Sequence, residues 1–408
     1  MQHATSSQPM RRAWRNVAVL TVAQAVLGAQ MPMIFIVGGL TGQMISPDPC
    51  LATLPLSMII LGNALTTRPL SAFMGRHGRR AGFILGNLAG ALGAIIACFA
   101  IWIHSFPVLV LGSLFTGVYM ASQGYLRFAA TDTAPEAFRP RAISYVLAGG
   151  LAAALIGQAL VRVTAEAMAI PFLATYAAVA IMNLLGPLVY MWLDIPRLPV
   201  RAHSDGARTP IMKLLGQRSI ALAVICGTIS YALMNLVMTS TPLAIVGCGF
   251  TTGDAAGVVS AHVLAMYVPS FFAGALISRF GVRRIIAVGL VLLATAGVIG
   301  LTGVNLGQFY GTLIMLGMGW NFGFIGATAL LTSSTPPEDR ARVQGINDMV
   351  VFSGVFLASL SSGWLMNCHS GASAQSGWSA VNMAVFPLIL VALAALIVMS
   401  LPRKRPGV

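Results

Sequence analysis

Ser71-Ala72-Phe73-Met74-Gly75-Arg76-His77-Gly78-Arg79-Arg80 and Gly274-Ala275-Leu276-Ile277-Ser278-Arg279-Phe280-Gly281-Val282-Arg283-Arg284 are two short basic stretches of the same build. Each closes one long apolar run and opens the next. Gly78 and Gly281 lie 203 residues apart in a chain of 408, so the stretches hold corresponding places in two halves. That is an internal repeat. A turn this short does not cross a bilayer, and its arginines must stay in water or among head groups. Each therefore joins two spanning helices on one side of a membrane.

Composition agrees. Hydrophobic residues make up 57% of the chain, charged residues 8%, and the mean hydropathy is +0.84, far from a soluble domain. A net charge of +14 would suggest nucleic acid in a soluble protein; here the basic residues sit in short turns between apolar runs, so no nucleic-acid partner is expected. Arg11, Arg12 and Arg15 resemble the basic start of a signal peptide, but the apolar run behind them reaches about Gly39, longer than a signal core of about 7–15 residues. It reads as a retained first helix. The five cysteines have no metal-ligand spacing. No metal and no cofactor are expected. Cys98 and Cys226 fall in apolar runs. Cys50, Cys248 and Cys368 fall in loops of one face, where a bridge from Cys50 to either of the others would tie the halves together; the default expectation is that all five are free.

A spanning helix needs about 20 apolar residues, and twelve segments qualify: 16–39, 51–73, 81–103, 107–130, 142–163, 170–193, 219–245, 254–278, 285–303, 308–332, 343–366 and 379–401. The terminal tails and the turns at 74–80, 131–141, 194–218, 279–284 and 333–342 hold 21 of the 24 lysines and arginines, and the opposite loops hold none. Arg68, Arg127 and Arg162 lie within segments. This one-sidedness predicts that both termini are cytoplasmic. The expected organisation is a tail at 1–15, a six-helix half at 16–193, a linker at 194–218 broken by Pro196, Pro199, Gly206 and Pro210, a second half at 219–401 and a tail at 402–408. A second repeat supports the division. Thr131-Asp132-Thr133-Ala134-Pro135-Glu136-Ala137-Phe138-Arg139 is echoed by Thr332-Ser333-Ser334-Thr335-Pro336-Pro337-Glu338-Asp339-Arg340, with Pro135-Glu136 and Pro337-Glu338 separated by 202 residues.

Twelve helices in two halves, with a basic turn after helices 2 and 8 and a Pro-Glu turn after helices 4 and 10, resemble the major facilitator superfamily. The family's turn has Gly, three residues, Asp, a basic residue, one residue, Gly and further basic residues. Arg76, Gly78, Arg79 and Arg80 match it, as do Gly274, Arg279, Gly281 and Arg283. The acid is replaced by Gly75 and Ser278, and the first leading Gly by Ser71. Helix 5 has Gly157-Gln158 where drug antiporters of the family carry Gly-Pro. Arg127-Phe128-Ala129-Ala130-Thr131-Asp132, Gly319-Trp320-Asn321-Phe322 and Gln344-Gly345-Ile346-Asn347-Asp348 resemble the bacterial riboflavin importers of that superfamily.

The resemblance implies an all-helical fold and a substrate site near the midplane, lined from helices 1, 4, 7 and 10. Polar groups at that depth are costly. Gln24, Gln30, Tyr119, Gln123, Tyr231, Asn235, Trp320 and Asn321 are the substrate-binding candidates; rings and amides together suit a neutral, planar, hydrogen-bonding ligand. For each, the alternative is an interhelical hydrogen bond or a core aromatic. Asn63, His262 and Tyr267 rank second. Asp348 is the acid set clearly within a span. The resemblance brings the turn after helix 2 to the start of helix 11, so Asp348 is expected to pair with Arg68, Arg79 or Arg127 as a gate, in preference to carrying a proton. Arg76 belongs to the same turn. Arg127 and Asp132 either pair locally or join that gate, and Arg279 is expected near Asp132 or Glu136.

The expected activity is secondary or facilitated transport of a small organic solute across a bacterial inner membrane by alternating access. Uptake of a neutral aromatic nutrient such as riboflavin comes first, by symport with protons or down the substrate's own gradient, in a monomer. Multidrug or metabolite efflux is the alternative. An enzyme is disfavoured because no catalytic constellation is present. A sensor would bring an appended soluble domain, and no stretch of this sequence reads as one.

Overall fold

The computed structural model describes residues 7–196, 211–336, 339–368 and 373–400, and among these every regular element is helical. The spans run α1 (Met10–Ile45), α2 (Pro49–His77), α3 (Arg79–Trp102), α4 (Phe106–Asp132), α5 (Arg141–Thr164), α6 (Leu173–Tyr190), α7 (Arg218–Gly247), α8 (Thr252–Tyr267 with Ser270–Phe280), α9 (Val282–Leu301), α10 (Leu306–Ser334), α11 (Arg342–Asn367) and α12 (Ala374–Ser400). Eleven run without a sharp bend. The exception is α8, expected as one segment at 254–278, whose parts meet at 42°. Pro269 stands at the break, where it withholds an N–H and its ring crowds the preceding turn.

Spans α1 to α6 form one bundle and α7 to α12 the other. The basic turns are tighter than their sequence suggests. Gly78 alone separates α2 from α3, at φ 92°, and Gly281 separates α8 from α9, at φ 87°. A side chain is strained at such angles, which is why glycine recurs in both halves. Within each bundle, backbones touch. A Cβ on Gly93 would lie 2.6 Å from the Gly112 carbonyl oxygen, and one on Gly117 would lie 2.7 Å from the Asn63 nitrogen, so α3 and α2 both lie directly on α4. In lipid, where burial of apolar surface gives helices no reason to meet, this close dispersion contact holds them together.

The seam between bundles is closed toward the face opposite the basic turns. There Thr53 Oγ1 donates to the Ser359 carbonyl at 2.7 Å and accepts from the Gly363 N–H at 3.0 Å. Ser57 Oγ donates to Ser359 Oγ at 2.9 Å, Asn367 Nδ2 to the Pro49 carbonyl at 2.8 Å, and Ser260 Oγ to the Ala154 carbonyl at 3.0 Å. Toward the basic turns the helix ends pack mainly within their own bundle: Leu126–Asp132 on α1 and α5, Ser270–Phe280 on α9 and α10, and Gly326–Ser334 on α7 and α9. Ala273 is the buried residue of Ser270–Phe280.

Three expectations change. Cys50 and Cys368 form a disulfide with Cα atoms 5.5 Å apart, while Cys98, Cys226 and Cys248 are free; the sequence put both partners in loops of one face and left the bridge as an alternative, with free thiols as the default. Helix begins at Ser7, within the expected tail, because Arg12 and Arg15 find a partner in Asp194, at 2.5 and 2.7 Å. The linker contains a short helix, Ile211–Leu215. Its residues 197–210, the tail at 402–408, and Pro337 and Glu338 of the second repeat lie outside the described residues.

Candidate functional site

In the first bundle, α1 and α4 bring two amides to one point because Gly28 leaves the space. A Cβ on Gly28 would lie 2.5 Å from Gln123 Nε2 and 3.4 Å from Gln24 Nε2. Both glutamines are half-buried, and neither makes a side-chain hydrogen bond among the described residues. Gln30 and Tyr119 behave differently. Gln30 exchanges hydrogen bonds with Asn183 of α6, at 2.7 and 3.1 Å, and the Tyr119 hydroxyl donates to the Leu27 carbonyl at 2.8 Å. Both are fully buried ties between helices.

In the second bundle, Tyr231 of α7 and Trp320 of α10 come together, with ring centroids 5.5 Å apart. Two residues that the sequence reading missed complete the cluster. Phe324 stacks on Trp320 at 5.4 Å and 17° and lies 5.0 Å from Tyr231, and Phe352 of α11 lies 6.1 Å from Tyr231. Trp320 and Phe324 are four apart on one helix, a spacing that puts both on one face and was readable. Phe324 itself lies in a π-helical turn, Asn321–Ile325, that starts directly after Trp320, a widening common at functional sites. Asn235, one turn from Tyr231, is 2% exposed with Oδ1 unpartnered. Asn321 turns away: its Nδ2 donates to the Met266 carbonyl and to Ser270 Oγ, each at 2.6 Å, stitching the bend of α8. His262 donates from Nδ1 to the Leu313 carbonyl at 2.8 Å and is fully buried.

Among the charged candidates, Arg79 Nε meets Asp132 Oδ2 at 2.8 Å. Asp132 is thus occupied, and Arg127 lies over Phe128, 4.9 Å from the ring centre. Asp348 accepts from Asn347 Nδ2 at 3.2 Å. Arg68 reaches α11, where a Cβ on Gly345 would lie 3.8 Å from its guanidinium. Arg76 and Arg279 are exposed. The expected pairs of Asp348 with an arginine and of Arg279 with Asp132 or Glu136 are not made. Among the described residues, Asp48, Cys50 and Cys368 lie close enough to share an ion, but the two sulfurs are joined to each other.

Two six-helix bundles meeting at a polar and aromatic seam closed at one end define a membrane transporter of the alternating-access class. The chain belongs to the Major Facilitator Superfamily, whose family model matches residues 17–266 and 223–408. It is 43% identical over 395 residues to the riboflavin transporter RfnT of Brucella anthropi, covering 95% of this chain and 96% of that one. It is 30% identical over 397 residues to YddS of Bacillus subtilis, an uncharacterized MFS-type transporter, covering 92% and 89%. A point mutant of the nucleoside transporter NupG superposes with a TM-score of 0.75 at 14% identity, over 96% of this chain and 100% of that one, which speaks for the fold alone.

Proposed function

We propose that this chain takes up riboflavin, or a neutral planar nutrient very like it, across a bacterial inner membrane. The observation that carries this reading is the 43% identity to a riboflavin transporter over nearly the whole of both chains. The geometry is in keeping with it. Tyr231, Trp320, Phe324 and Phe352 offer ring faces on which a flat heterocycle stacks, and the free amides of Gln24 and Gln123 offer donors and acceptors. Asn235 is the third polar contact, while Gln30, Tyr119 and Asn321 serve by holding helices in place.

The basic face is the cytoplasmic one, with both termini there. The state described is then open to the cytoplasm, and transport consists of rocking the bundle at 16–193 against that at 219–401. Closure of the cytoplasmic side brings Asp348 toward Arg68 and Arg127 and Arg279 toward Glu136, while Arg79–Asp132 and Arg76 brace the turn. Asp348 lies at the seam within reach of protons from the cytoplasm, and a proton is the coupling ion where coupling exists. The unit is the monomer. Expression in a riboflavin auxotroph lacking an importer tests the reading: the vitamin requirement falls at least tenfold. An unchanged requirement accompanied by drug resistance replaces uptake with efflux.

A further inference from the structure

Alternating access requires the rim opposite the basic turns to part, and in this chain that rim is fastened covalently. Cys50 lies in the first turn of α2 and Cys368 directly follows α11, so the bridge joins the bundles at helix ends. A disulfide holds its Cα atoms within about 7 Å; here they are 5.5 Å apart. Five residues back along α11, Gly363 lies flush on α2, and a Cβ there would lie 2.5 Å from Thr53 Oγ1 and 2.9 Å from the Cys50 carbonyl oxygen. The hydroxyl bonds of this rim contribute about 1 kcal/mol each and break readily in a transport cycle. A sulfur–sulfur bond does not.

We propose that Cys50 and Cys368 are a thiol–disulfide site that governs this rim. Bridged, the carrier is held open to the basic face; reduced, it exposes its seam to each face in turn. The inference rests on the transporter reading and on the rim lying outside the cytoplasm, where disulfides persist. Both cysteines are partly exposed and so open to exchange with an external dithiol. One thiolate of that dithiol attacks a bridge sulfur, giving a mixed disulfide and a free cysteine thiolate. Its second thiol then displaces the other cysteine. The dithiol leaves as its own disulfide, and two electrons and two protons have passed to Cys50 and Cys368.

The test uses the full chain in proteoliposomes, with Cys98→Ala, Cys226→Ala and Cys248→Ala and a reporter, Ser57→Cys, at a fully buried seam position. A membrane-impermeant maleimide is applied from the rim side and labelling at position 57 is read by mass spectrometry. The bridged chain is expected to label at least tenfold more slowly than the same chain treated with dithiothreitol and washed. Adding Cys50→Ser or Cys368→Ser gives the fast rate without reductant. Equal rates in bridged and unbridged chains overturn the proposal, as does finding both thiols free when native membranes are trapped by alkylation. The readout needs no substrate, so a chain that labels as expected and takes up no riboflavin refutes the substrate reading while this one stands.

Discussion

Gln123 and Gln30 are the same side chain at similar depth, and the fold gives them different work. Gln123 keeps its amide free beside Gly28; on the proposed reading it bonds the substrate, so Gln123→Leu removes one neutral hydrogen bond, about 0.5–1.5 kcal/mol, and raises KM for riboflavin up to about tenfold with the melting temperature unchanged. Gln30→Leu strands Asn183 in the bundle, costs about 1–3 kcal/mol of stability and leaves KM alone. Uptake kinetics and thermal unfolding on both variants separate the roles. Sequence showed both as amides at membrane depth; which one is spoken for depends on a partner 153 residues away. Asp194 gives a pH prediction. Hydrogen bonding from Arg12, with the charges of Arg12 and Arg15, holds its carboxyl below the usual range. A depressed pKa gives stability that is fully present above the ordinary value near 3.9 and is lost only as pH falls through the lowered one. Asp194→Asn therefore leaves the shape of the uptake profile between about pH 5 and 8 unchanged, and a changed profile shows that the pair takes part in the cycle.

The widened turn of α10 depends on two glycines that differ in what crowds them. A Cβ on Gly289 of α9 meets the backbone of Gly323, while a Cβ on Gly323 meets the side chain of Ser230. Overpacking costs about 1–3 kcal/mol, so both Gly289→Ala and Gly323→Ala lower stability and uptake. Adding Ser230→Gly restores uptake to Gly323→Ala and does nothing for Gly289→Ala, as measured in membranes with matched protein levels. Rescue of both would show that this contact does not shape the turn. Helices of this chain were legible because an apolar run of spanning length and a basic turn are local signals. The bend at Pro269 was written in the sequence but outweighed by the apolar run around it. The π-helical turn was not written there, since Asn321-Phe322-Gly323-Phe324-Ile325 has no local mark that separates it from ordinary helix.

For the whole molecule the duplication was the legible part, because Gly78 and Gly281 each need a backbone angle that few other residues tolerate and so left matching marks. Contacts across the seam were hidden. Thr53 and Ser359 belong together only once two bundles face each other, and Cys50 could be put on the same face as Cys368 but not assigned to it over Cys248. Sidedness gives the prediction at this scale. With the free cysteines replaced, Gly75→Cys and Ser278→Cys label from the cytoplasmic side and Thr302→Cys from the other, as read with an impermeant maleimide on intact cells and inverted vesicles. Labelling of the first two from opposite sides would dismantle the duplicated architecture. The flush glycine contacts of Gly93 on Gly112 and Gly117 on α2 carry a practical corollary. Helices so seated have no play to slide, so each bundle turns as a stiff leaf about the seam. An antibody fragment gripping one leaf should leave turnover intact, and one whose footprint straddles both should arrest it.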